Sequence, residues 1–126
     1  MHIEDINAIT YAVIGCVYKV FRHLGPGLLE SIYEQCLMQE IRKNGHRVER
    51  QVAMPVVYDD ITLEVGYRID LFVDDEVILE IKSVDAIHPV HEAQLLTYLK
   101  LSGKRVGLLL NFNVDDMSKG ITRRIL

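Results

Sequence analysis

One run in this chain fits only the middle of a protein. Val106-Gly107-Leu108-Leu109-Leu110-Asn111-Phe112 is apolar at both odd and even positions. An extended segment alternates its side chains, so this one would show apolar groups on both faces. Both faces must be covered, which makes the run a central strand, parallel to its neighbour across a helical crossover. The crossover is legible just before it. Residues 89–102 have a helical reading, opening at Pro89, which suits a first turn, and closing at Ser102-Gly103.

The remaining elements follow from the same periodicities. Ile6, Ile9, Val13, Val17, Val20, Phe21 and Leu24 recur at helical spacing over 5–24, and Gly25-Pro26-Gly27 breaks that helix. A second helix is expected over 28–44, with Leu29, Ile32, Tyr33, Cys36, Leu37 and Ile41 inward and Asn44-Gly45 as its stop. Three strands follow at about 46–58, 61–73 and 77–84, separated by acidic turns. The tail from Asp115 to Leu126 reads as a short helical turn, with Arg123-Arg124 solvated. The order α-α-β-β-β-α-β predicts one α/β domain over 1–126, a mixed four-stranded sheet flanked by helices.

Composition narrows the function. The chain has 126 residues, 49% hydrophobic and 25% charged, the balance of a globular domain. A net charge of −4 argues against a protein that coats nucleic acid nonspecifically, which needs Lys and Arg to neutralise phosphates. No stretch is long enough to span a bilayer, and the start Met1-His2-Ile3-Glu4-Asp5 lacks the features of a secretory signal, so the chain reads as cytoplasmic. Cys16 and Cys36 have neither CxxC spacing nor a matching histidine pair, and read as small buried hydrophobes.

Charge inside the strands carries the chemistry. Asp70 interrupts Tyr67-Arg68-Ile69-Asp70-Leu71-Phe72-Val73, and Glu80 and Lys82 interrupt Val77-Ile78-Leu79-Glu80-Ile81-Lys82. Charged groups on a covered sheet face are costly unless they are paired or bind metal. Two acceptor-only carboxylates and an ammonium on one face suit a hard divalent cation with a water beside it. Strand parity makes a demand here. A two-residue loop at Asp74-Asp75 would set Asp70 opposite Leu79 and turn Glu80 away, whereas a three-residue loop, Asp74-Asp75-Glu76, sets Asp70 opposite Glu80.

Two helical features add to this. Glu30, Tyr33, Leu37 and Ile41 share one stripe, so a carboxylate stands in line with sheet-facing apolar groups, in a first turn where the helix dipole favours it. Gln94 and Tyr98 lie one turn apart, with His91 one turn before. His88 and His91 themselves read as surface or helix-cap groups. The basic residues Arg42, Lys43, Arg47 and Arg50 read as scattered surface charge.

Gly27, Glu30 and Tyr33 match the motif that gives the GxxExxY protein family its name. Taken in order, Glu30, Asp70, Glu80-Ile81-Lys82, Gln94 and Tyr98 resemble the PD-(D/E)XK nuclease superfamily, from residue 5 to about 113; one departure is Ile69 in place of proline before Asp70. The resemblance implies a restriction-endonuclease-like fold and a metal-dependent nuclease acting on nucleic acid, DNA in the first instance. Asp70, Glu80 and the Ile81 carbonyl would bind Mg²⁺ or Mn²⁺. Lys82 would position or deprotonate the attacking water. Glu30 would hold a metal-bound water or join a second metal site, and Gln94 with Tyr98 would orient Lys82 or the substrate. A second copy of the chain is a candidate partner, for reaching a second strand. The alternative is a module on the same fold that binds metal or nucleic acid without turnover.

Overall fold

The architecture is that of a computed structural model describing residues 1–126. Helices α1 (Ile3–Leu24) and α2 (Glu30–Lys43) precede strands β1 (Val48–Tyr58), β2 (Ile61–Val73) and β3 (Val77–Lys82). Helix α3 (Pro89–Ser102) then crosses to β4 (Val106–Asn111), and a 3-10 turn (Met117–Gly120) leads into β5 (Ile121–Ile125). The five strands form one sheet in sequence order, antiparallel except for the parallel pair β3–β4.

The doubly apolar run behaves as its pattern demands. Every residue of β4 is buried, and helices cover both of its faces. On one side α1 and α2 bury Val13, Val17, Tyr33 and Leu37 against Leu79, Ile81, Leu108 and Leu110. On the other, Leu95 and Leu99 of α3 pack on Ile69, Phe72, Ile78 and Leu109. Gly107 allows that second contact, since a Cβ there would lie 2.6 Å from Leu95 Cδ1. Emptying a fully buried position such as Leu108 costs about 2–5 kcal/mol, transfer and cavity terms together.

The four-stranded sheet is corrected to five. The expected helical turn is present at Met117–Gly120, but the residues after it extend and pair with β4. Ile121-Thr122-Arg123-Arg124-Ile125 is a short edge strand, and its two arginines protect the free edge from further pairing. Nor are those arginines merely solvated. Arg123 donates to Asn7 Oδ1 at 2.6 Å, and Arg124 pairs with Glu92, which ties β5 to a helix on each face. Arg50, read as surface charge, is ion-paired to Glu34. His91 Nδ1 accepts the His88 N–H at 3.1 Å, a cap at the start of α3.

The β2–β3 hairpin positions the acids. Val73 pairs with Val77 and Leu71 with Leu79, so the loop holds three residues, Asp74, Asp75 and Glu76. That register points Asp70 at Glu80, but regular pairing ends at Leu71. At Asp70 the strand also exchanges faces. Ile69 belongs to the α3 side and Leu71 to the α1–α2 side, although an unbroken strand would keep both on one face. β1 does the same alongside it. Val48 packs under α1 and α2 while Val52 packs on the α3 side, and Gln51 between them has φ 53°.

Candidate active site

Where the ladder stops, side chains take over its hydrogen bonds. The Ile81 N–H donates to Asp70 Oδ2 at 2.9 Å, and the Asp70 N–H lies 3.5 Å from Glu80 Oε1. Asp70 is half-buried and Glu80 is 4% exposed. An ionised carboxyl has only acceptors to offer, so two of them face to face repel each other. Burial first, then the Asp70 charge and a hydrogen bond with the Asp70 carboxyl, push the Glu80 carboxyl up to about 9.

Lys82 opposes that shift, although none of the ion pairs of the protein uses it. It alternates with Ile81, so it projects to the same side as Glu80. Its strand end is pinned by the neighbouring chain. Phe112 N–H donates to Lys82 O at 3.0 Å, and the Asn111 amide grips both backbone groups of Val84.

Glu30 reaches the same region from α2, through a loop that Tyr33 secures. The Tyr33 hydroxyl donates to Gly25 O at 2.6 Å and accepts the Leu28 N–H at 3.1 Å, while its ring stacks on Phe112 at 4.4 Å. Gly27 supplies the turn at φ 97°, a conformation that glycine adopts without steric cost. Ser83, next after Lys82, donates its hydroxyl to Leu28 O at 2.7 Å and its N–H to Glu30 Oε2 at 3.1 Å. The Gly27-Glu30-Tyr33 pattern is thus a bracket fastening the start of α2 to the end of β3. A cleft of about 210 Å³ opens there, with Glu30, Glu34, Asp70 and Ile81 among its walls.

The two remaining predicted residues stand apart. Gln94 is exposed on α3. Tyr98 is half-buried, and its ring stacks on Tyr67 at 4.5 Å. Burial, then the charges of Glu80 and Asp70, raise the Tyr98 phenol, which places it within electrostatic reach of the acids. The sequence reading missed Glu34, Gln51, Ser83 and Asn111. Of these only Glu34 left a trace: it lies four residues after Glu30, beside Tyr33 and Leu37 on the inward stripe.

The donor set decides which cation would fit. No group of three or more His, Cys, Asp or Glu side chains gathers anywhere in the chain, which argues against a closed all-protein cage. The hard carboxylates of Asp70 and Glu80 would suit a hard divalent cation such as Mg²⁺, which binds through one or two carboxylates and keeps several waters. Soft or histidine-loving ions find no ligands here.

No helix is long and apolar enough to cross a membrane. No curated protein and no solved structure matches the chain. A family model described as the PD-(D/E)XK nuclease superfamily matches residues 7–124, nearly the whole chain. The chain therefore belongs to the PD-(D/E)XK nuclease superfamily.

Proposed function

We propose that the protein is a metal-dependent nuclease of the GxxExxY type, cleaving phosphodiester bonds of DNA with Asp70, Glu80 and the Ile81 carbonyl as its metal site. One observation supports this above the others: Glu80 is buried against a second carboxyl with no ion pair to either. A fold tolerates such an arrangement at a cost, which a divalent cation removes. When bound, that cation polarises the phosphoryl oxygen and makes water a stronger nucleophile.

The roles of the chain's own groups follow. Glu80 gives up its proton as the site fills, and Asp70, held by the Ile81 N–H, stays in place. Lys82 supplies a mobile positive charge for the scissile phosphate or its attacking water, since no ion pair holds it. Glu30, fixed by the Ser83 N–H, presents its carboxylate to the cleft that Asp70 and Ile81 line. Tyr98, within reach of the Glu80 and Asp70 charges, would orient Lys82 or the substrate together with Gln94 one turn before it on α3.

The net charge of −4 favours a second reading, a metal-binding module with weak or no turnover, because little positive surface is available to draw in a polyanion. The decisive experiment is a cleavage assay with Mg²⁺ or Mn²⁺ on single- and double-stranded DNA and RNA, with Lys82→Ala as control. Parent activity that falls by about 10²–10⁴ in Lys82→Ala, with Mn²⁺ binding retained, supports the nuclease. Cation binding without cleavage by the parent selects the module, and equal cleavage by Lys82→Ala rejects the role given to Lys82.

A further inference from the structure

Asp70 is gripped from a second direction by a residue outside the motif. Gln51 lies inside β1 at φ 53°, a left-handed conformation that strains a non-glycine residue. Arg50 pairs across with Leu71 and Val52 with Ile69, so Gln51 and Asp70 form the gap in the ladder between them. The twist at Gln51 sends both it and Arg50 toward α2.

There the buried Glu34 receives them, taking Arg50 Nε at 2.5 Å and Gln51 Nε2 at 2.7 Å. The same Gln51 nitrogen reaches Asp70 Oδ1 at 3.2 Å. Both neighbours are carboxylate oxygens, so the amide must turn its NH₂ toward them, one hydrogen to each. With Ile81 N–H on Oδ2, each Asp70 oxygen then has one fixed donor, and the plane of the carboxylate is set. A neutral amide achieves this without cancelling the charge of Asp70. An arginine in its place would compete with a cation.

We propose that Gln51, anchored on the Arg50–Glu34 pair, is a positioning residue that aims the Asp70 carboxylate at a divalent cation. The proposal rests on reading Asp70 and Glu80 as the cation site. It also accounts for the strained backbone, because a regular strand residue here would place its side chain on the opposite face.

The test is calorimetric titration of the full chain with Mn²⁺, with thermal midpoints measured without metal. Gln51→Gly accepts the positive φ and removes the side chain with its amide. It is expected to weaken Mn²⁺ binding about tenfold or more while the midpoint holds or rises. Glu34→Gln should weaken binding in the same sense, and the double variant should bind no worse than the weaker single, as members of one chain of contacts do. Binding by Gln51→Gly within twofold of the parent overturns the proposal, as does a fall in midpoint that accounts for the lost binding. Parent protein that takes up no Mn²⁺, or a Glu80→Gln variant that binds like the parent, overturns the cation site itself and the positioning role with it.

Discussion

The β2–β3 hairpin carries acids at both ends, and the two ends treat them in opposite ways. At the closed end, Asp74 accepts from His46 Nδ1 at 2.6 Å and from the Arg47 N–H at 2.9 Å, and Asp75 lies 3.7 Å from Lys104 Nζ. At the open end, Glu80 and Asp70 meet each other, and the donors within reach are backbone amides and Gln51. Acids of the same type, joined by one short strand pair, thus serve different ends. The turn acids are satisfied where they stand and fix the loop. The acids at the open end have no ion-pair partner and are held together by a proton on Glu80, an arrangement that marks a candidate functional site.

The contrast is sharpest in metal binding. Glu80→Gln keeps the shape of the side chain and removes the charge, and it should weaken Mn²⁺ binding by at least about 100-fold in calorimetry. Asp74→Ala, at the closed end of the same hairpin, should leave Mn²⁺ binding unchanged. Equal losses in the two variants would erase the distinction between the ends.

Dependence on pH should separate them next. Glu80 has an ordinary value of 4.5 and a folded value of about 9, so between these limits the folded chain holds a proton that the unfolded chain has released. Its stabilising share is fully present below about pH 4.5 and declines as pH rises toward 9. The slope can reach about 1.4 kcal/mol per pH unit for one proton. Denaturant midpoints of the metal-free protein should therefore fall between pH 5 and 9, and Glu80→Gln should flatten that fall. Mn²⁺ displaces the same proton, so its affinity should climb across the window. A flat profile in the parent would show that Glu80 is already ionised.

The smallest effect belongs to the turn. Asp74→Ala loses the contacts to His46 and Arg47 and should lower stability by about 1 kcal/mol in denaturant titration. Part of that loss reflects φ 52° at Asp74, which aspartate tolerates better than alanine. Asp74→Gly should recover that part, and a loss as large as in Asp74→Ala would assign the whole effect to the side-chain bonds.

Much of this frame was open to inspection in the residues themselves. The bounds 61–73 and 89–102 coincide with β2 and α3, because acidic turns, Pro89 and Gly103 punctuate them sharply. Strand parity requires an odd β2–β3 loop if Asp70 is to face Glu80, and the loop has three residues. What stayed hidden did so for physical reasons. Ile121 to Ile125 is too short for period two to stand out from a turn. The face exchange at Gln51 and Asp70 depends on one positive φ at a residue whose type gives no hint of it. The Glu34–Arg50 pair joins a helix to a strand sixteen residues on, and Arg50 alone resembles ordinary surface charge.

One divalent cation held between Asp70 and Glu80 can be located directly by diffraction from Mn²⁺-soaked crystals at the manganese absorption edge. A single strong anomalous peak is expected about 2 Å from carboxylate oxygens of both Asp70 and Glu80 and beside the Ile81 carbonyl. No peak there at saturating Mn²⁺, with Glu80 still turned to Asp70, would contradict the shared site.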